Sequence, residues 1–223
     1  MALPRPLEVE AHPIRHVWEA FRSCFPDFEL VELEEICRRS LSPVPPERMS
    51  RYVHEVDRQR ILRHDLTSGL VDRWMSRGGG PCRLIAAGRA FRKGTAPQDP
   101  RTHHQVHHQA EILWAGEGLD DDVCVQTIKV AAAKVLGDVE VRLSCVHQDS
   151  VLVEARDCEA RWRGSWLEFG AGGLHSSAAA EKAGLDPGRC GVISLAFGLE
   201  RCALIRHDLD DIRKLWQPPY LPS

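Results

Sequence analysis

At 223 residues, 43% of them hydrophobic and 27% charged, the chain has the composition of a globular protein, which excludes disorder, a collagen-like repeat and a coiled coil. Twenty-nine Lys and Arg against 32 Asp and Glu give a net charge of −3, so no polycationic face for broad nucleic-acid binding is expected. A chain of this length buries roughly 70% of the surface its unfolded form exposes, enough for one core without disulfides or a structural metal.

In chain order, the first ten residues carry Pro4, Pro6, Glu8 and Glu10 where a signal peptide needs an unbroken apolar run, and no apolar stretch reaches membrane-spanning length. The expectation is a cytoplasmic chain with no membrane segment. Ile14, Val17, Trp18, Phe21 and Phe25 recur at helical spacing behind Pro13, predicting a helix over 13–25 that Pro26 ends. Phe28 to Ile36 alternates apolar and acidic residues and reads as a strand, 40–46 as a Pro/Ser loop, and 47–77 as helical. After Gly78-Gly79-Gly80-Pro81, residues 82–92 and 107–114 predict a hairpin whose long connecting loop is of the functional kind. A helix over 122–136 is closed by Gly137. Residues 139–142, 151–155 and 166–169 read as short strands, 170–173 as a tight glycine turn, and 197–206 as the opening of a last helix. This order implies an α+β fold, an antiparallel sheet flanked by helices.

Eight cysteines form no C-x-x-C pair and read as reduced thiols. The histidine-rich stretch 103–108 has i, i+4 pairs (His103/His107 and His104/His108) that would ligate zinc from a helix, but as loop and strand it sends those side chains to alternating faces. Five Lys against 24 Arg favour the planar fork that grips two phosphate or carboxylate oxygens at once.

Gly88-Arg89-Ala90-Phe91-Arg92-Lys93-Gly94-Thr95, continued by Thr102-His103 and His107-His108-Gln109-Ala110-Glu111, resembles motif 2 of the phenylalanyl-tRNA synthetase α-subunit, a class II aminoacyl-tRNA synthetase. Residues 166–175, 184–187, 196–201 and 210–213 resemble that family's motif 3 region, and Leu62 to Ser68 resembles the L-R-x-x-x-T-S stretch of its relatives that charge phosphoserine and pyrrolysine. The resemblance spans roughly 60–216 and implies the fold shared by class II synthetases and biotin ligases. It further implies one catalytic-core domain over 1–223, with the motif 1 region at about 13–40, motif 2 at about 83–114, motif 3 at about 166–216 and no anticodon-binding domain. A homodimer through the motif 1 region is expected from the same likeness.

The implied activity is ATP- and Mg2+-dependent formation of an aminoacyl adenylate, in which both reactants are anionic and positioning plus charge neutralisation accomplish the chemistry. Arg92 would hold the α-phosphate and the substrate carboxylate, and Arg201 the γ-phosphate, with His103, His107 and Gly198 completing the ATP site. Thr67, Ser68, Gln109, Glu111, His147 and Gln148 would face the amino acid, with Asp149 and Glu168 as magnesium ligands. The sequence departs from the family at Gly94, where motif 2 has an acid, and at His107, where an aromatic ring stacks on adenine. The phenylalanine-pocket segment is replaced around 142–150, so a substrate other than phenylalanine is expected. The acceptor is then a carrier protein or small molecule. The alternatives are a non-catalytic regulatory or amino-acid-binding subunit, and a catalytic subunit that charges tRNA with a separate tRNA-binding chain.

Overall fold

The computed structural model describes residues 5–42, 44, 46–94, 99–147 and 152–221. Helix α1 (Pro13–Ser23) starts where Pro13 needs no N–H partner and the His12 ring accepts from the Ile14 N–H at 3.1 Å; Ile14, Val17 and Phe21 form its buried stripe. Then come β1 (Glu29–Leu30), β2 (Ile36–Arg38), α2 (Pro46–Tyr52), β3 (Arg60–Leu62) and α3 (Thr67–Ser76). The long hairpin β4 (Cys82–Phe91) and β5 (Val106–Glu117) leads to α4 (Asp121–Leu136), which Asp120 caps by accepting from the Val123 N–H and Gly137 closes at φ +83°. Strands β6 (Val141–His147), β7 (Leu152–Trp162) and β8 (Ser165–His175), helix α5 (Ser177–Lys182), strand β9 (Cys190–Gly198), helix α6 (Leu199–Arg206) and a 3-10 turn (Ile212–Trp216) complete the described order.

Seven strands form one sheet in the order β1-β4-β5-β9-β8-β7-β6, antiparallel throughout except for the short parallel β1, while β2 and β3 pair separately. The α+β expectation holds. Several details differ from the sequence reading. The strand expected over 28–36 pairs with the sheet only at Glu29 and Leu30, because beyond Val31 the backbone is drawn off by Arg63, whose Nη1 donates to the Leu33 carbonyl at 2.5 Å. The helix expected over 47–77 is interrupted: Asp57 accepts from the N–H groups of Gln59 and Arg60, turning the chain into β3. Residues 170–173 are no turn but the interior of β8. A Cβ on Gly170 would lie 2.4 Å from the Ala196 carbonyl oxygen and one on Gly172 3.1 Å from Leu195 and Ile128, so close approach of β9 and α4, not turn geometry, requires glycine there. β9, the middle strand of the sheet, was not foreseen, and β6, β7 and β8 are longer than expected.

One face of the sheet packs on α1, α4 and α6 through Ile112, Phe169, Ile193, Leu195 and Phe197. On the other, α3 and α5 cover Leu84, Leu113, Ala115 and Val192. Toward its β6 edge that second face carries Trp166, with Arg142 and Arg161 over its ring.

Candidate active site

Directly paired residues of neighbouring strands share a face. One such row crosses six strands as Ala86, Glu111, Ala196, Ala171, Asp157 and Ser144, and the next holds Gly88, Gln109 and Gly198. The result is a trough floored by alanine and glycine and edged by polar groups, the form a small-molecule site takes on a sheet.

At one end Glu111 is 1% exposed, with Oε1 accepting from the Leu66 N–H at 3.2 Å and Oε2 from the Thr67 hydroxyl at 2.5 Å. Burial, with the negative charge of Asp65 beside it, pushes the Glu111 carboxyl up to about 7. Asp65 shifts the other way. Its burial opposes ionisation, but the His64 ring at 2.9 Å and the Ser68 N–H at 3.0 Å hold its carboxyl well below the usual range. Gln109 is 7% exposed, and its Oε1 has no partner among the described residues.

Two guanidinium groups lie near His107, past the row of Gly88, Gln109 and Gly198. Arg92 follows β4 and is exposed, its Nε donating to the His64 carbonyl at 3.0 Å, so the same residue that steadies Asp65 orients this arginine. Arg201, on α6, donates to the carbonyls of Thr102 (3.2 Å) and Glu168 (2.9 Å) and from Nη2 to His103 Nε2 at 2.6 Å; the Glu168 carboxylate lies 3.6 Å away. A guanidinium only donates, so His103 Nε2 accepts and the ring proton sits on Nδ1, which reaches the Thr102 hydroxyl at 2.9 Å. Burial and the Arg201 charge lower the His103 pKa, and burial with Arg92 and Arg201 lowers that of His107 well below the ordinary value, leaving both rings neutral.

The neighbour of Arg201 fixes its position. Glu200 is 1% exposed and accepts from the His108 N–H through both oxygens (2.9 and 2.8 Å) while Oε1 meets the His108 ring at 2.8 Å. Trp216 stacks on His108 and on His104. Of the histidines in 103–108, His103 is thus bonded to Arg201 and His108 to Glu200, while His104 and His108 share Trp216; no group of three His, Cys, Asp or Glu able to hold a metal occurs among the described residues.

The structure brings Arg92, His107, Gln109, Glu111 and Thr67 to the trough, with Arg201, His103, Gly198 and Glu168 beside them. Ser68 departs from expectation: it lines a cavity of about 320 Å³ between α3 and β2 and makes no bond to Glu111. Gln148 and Asp149 lie outside the described residues, and His147 is placed only as the last backbone position of β6. Sequence reasoning missed Arg63, buried at 7% exposure and spanning the Leu33, Glu34 and Arg89 carbonyls, and the bonded pair of His175 Nε2 and Ser194 Oγ at 2.7 Å. A signal for Arg63 was at hand: Gly88 is bare because a Cβ there would lie 2.3 Å from Arg63 Nη2.

The family described as tRNA synthetases class II core domain (F) matches residues 7–220. The phenylalanine–tRNA ligase alpha subunit of Prochlorococcus marinus (strain MIT 9313) is 33% identical over 156 residues, 70% of this chain and 45% of that protein. The corresponding subunit of Thermosynechococcus vestitus is 33% identical over 150 residues, 67% of this chain and 44% of its own. The chain therefore spans less than half the length of these relatives. Among solved structures, a pyrrolysyl-tRNA synthetase from Desulfitobacterium hafniense superposes with a TM-score of 0.69 over 93% of this chain and 72% of its own, at 19% identity, a likeness of fold.

Proposed function

The chain belongs to the class II tRNA synthetase core family, and from that premise we propose that it is an ATP-dependent amino-acid-activating ligase. In the first step a carboxylate oxygen of the amino acid attacks the α-phosphorus of ATP, the α–β anhydride bond breaks, and pyrophosphate leaves. In the second, an acceptor nucleophile attacks the acyl carbon and AMP leaves. The observation that carries this reading is the convergence on one trough of two guanidinium groups, a buried carboxyl and a buried, partnerless amide oxygen.

Glu111, with Thr67 and Gln109 beside it, receives the α-ammonium, which in turn holds the carboxylate in its ionised form. Arg92 spans the substrate carboxylate and the α-phosphate, and neutralises the charge that gathers where they react. Arg201 takes the γ-phosphate, exchanging its bond to His103 for phosphate oxygens. His107, neutral and set among cations, offers the adenine a flat face. Gly198 leaves the floor beside it low. Magnesium would, when bound with the nucleotide, add further neutralisation of phosphate charge. Glu168, exposed beside Arg201, fits the one or two carboxylates that Mg2+ takes in addition to phosphate oxygens.

The replaced segment around 142–150 supports a substrate other than phenylalanine. The acceptor we assign is a carrier protein or small molecule, supported by the net charge of −3, which gives no general attraction to a polyanion. The exposed Leu30 and Ile36, both in the motif 1 region, support a homodimer there. A second reading, a non-catalytic amino-acid-binding subunit, is favoured by Gly94 in place of the motif 2 acid. ATP–pyrophosphate exchange with magnesium over a panel of amino acids separates the two. Arg92→Ala and Arg201→Ala are each expected to lower exchange by about 10^2–10^3-fold; amino-acid binding with no exchange would favour the second reading. Charging of total tRNA, run in parallel, would overturn the acceptor assignment.

A further inference from the structure

None of these roles uses the carboxylate at the far end of the trough. Asp157 lies on β7 opposite Ala171, three strands along the row from Glu111 with only Ala196 and Ala171 between. Its neighbour Arg156 turns to the opposite face, where Asp121 of α4 holds it at 2.6 Å, and Cys158 is buried in the core on that same side. The pleat therefore directs Asp157 into the trough. It is half-buried and makes no hydrogen bond or ion pair among the described residues. A partly desolvated carboxylate with no partner is unfavourable by itself and is relieved by a cation. The buried Gln109 Oε1, on the same face two residues from Glu111, is a second acceptor without a donor among the described residues.

The spacing defines which cation fits. Three inter-strand steps of about 4.8 Å separate Glu111 from Asp157 by about 14 Å. One charge-assisted contact of about 2.8 Å at each end leaves roughly 9 Å between two cationic groups. An unbranched side chain of lysine or arginine length bridges that gap, and the two alanines beneath leave it an unobstructed floor.

We propose that the activated substrate is an α-amino acid with a basic side chain, its α-ammonium at Glu111 and its side-chain cation at Asp157. This rests on the trough being the amino-acid site. Asp157 is thereby the residue that selects the side chain, and aromatic amino acids are rejected because they would leave it desolvated and unpaired.

Calorimetric titration of the full chain with lysine, ornithine, arginine, glutamine and phenylalanine tests this without requiring turnover. At least one basic amino acid is expected to bind more tightly than glutamine or phenylalanine. Asp157→Asn, which preserves shape, should weaken it by about 30-fold or more. Asp157→Glu should restore part of the affinity, and both variants should keep ATP affinity and melting temperature. Tighter binding of glutamine or phenylalanine, affinity for the basic amino acid that Asp157→Asn leaves unchanged, or no binding of any basic amino acid would each overturn the proposal. The ligase reading fails separately, if a basic amino acid binds in an Asp157-dependent way but supports no pyrophosphate exchange.

Discussion

Toward α1, α4 and α6 the strands β5, β8 and β9 present Ala110, Ile112, Phe169, Ile193, Leu195 and Phe197; toward the trough the same strands present Gln109, Glu111, Ala171, Ser194, Ala196 and Gly198. Along β5 and β9 the two faces are one residue apart, so a single-residue slip in register there would exchange core for site. Each face also buries one glutamate to 1% exposure, and these two differ in their company. Glu200, on the core side, takes three contacts from two donors of His108, its backbone N–H shared between both oxygens and its ring. Glu111 takes one hydroxyl and one N–H and has a second carboxylate nearby. Burial and donor number being equal, the neighbours differ: an imidazole clamps one carboxylate, and a second carboxylate pushes the other up toward neutrality.

The contrast is open to breaking by experiment. Removing the clamp should have the largest effect: His108→Ala leaves Glu200 buried without its ring partner, at a cost of about 3 kcal/mol, or about 6–12 °C in melting temperature for a chain of this size. A melt superimposable on wild type would mean that Glu200 is not a clamp. Glu111 should show itself through pH. Its carboxyl titrates near 7 when folded, above an ordinary carboxylate, so the folded state binds more protons than the unfolded across the interval between. The Glu111 contribution to ligand-free stability should therefore fall as pH rises from about 4.5 to 7. Amino-acid binding, which needs the ionised form, should strengthen over the upper part of that range and level off above it. Glu111→Gln should remove this component, so that the difference in stability between wild type and variant shrinks as pH rises over that range while the binding slope is lost; chemical denaturation with calorimetry at several pH values checks both. The smallest effect is expected from Thr67→Val. Loss of one donor should favour the neutral acid, move the binding inflection to higher pH and raise the amino-acid KM about 2- to 10-fold; an unchanged inflection would remove Thr67 from the site.

The chemistry-bearing ends of the trough were legible in the sequence and its middle was not. Arg92, Glu111 and Arg201 stand beside segments with strong local signals, a glycine-bounded hairpin and a helix start. β9 escaped because Val192, Ile193, Leu195, Ala196 and Phe197 form a nearly unbroken apolar run, and a strand buried on both faces shows no alternation. Asp157 escaped for a related reason. In Glu154 to Glu159 charged residues occur on both parities, so only the bond from Arg156 to Asp121 reveals which of them faces inward. The break in the helix expected over 47–77 depended on the Asp57 side chain capturing two backbone N–H groups, a local hydrogen bond that residue periodicity does not register.

Arg63 has a consequence beyond the site. β4 is ten residues long, yet its outer neighbour β1 pairs with it only at Leu84 and Ile85. Farther along, the exposed rim would offer free backbone groups to any passing extended chain. There the Arg63 guanidinium donates to the Arg89 carbonyl at 2.7 Å and the Arg63 carbonyl accepts from the Phe91 N–H at 2.9 Å. One arginine thus stands in for the strand that is missing, and guards the molecule against fibre-like growth at the border beside its active site.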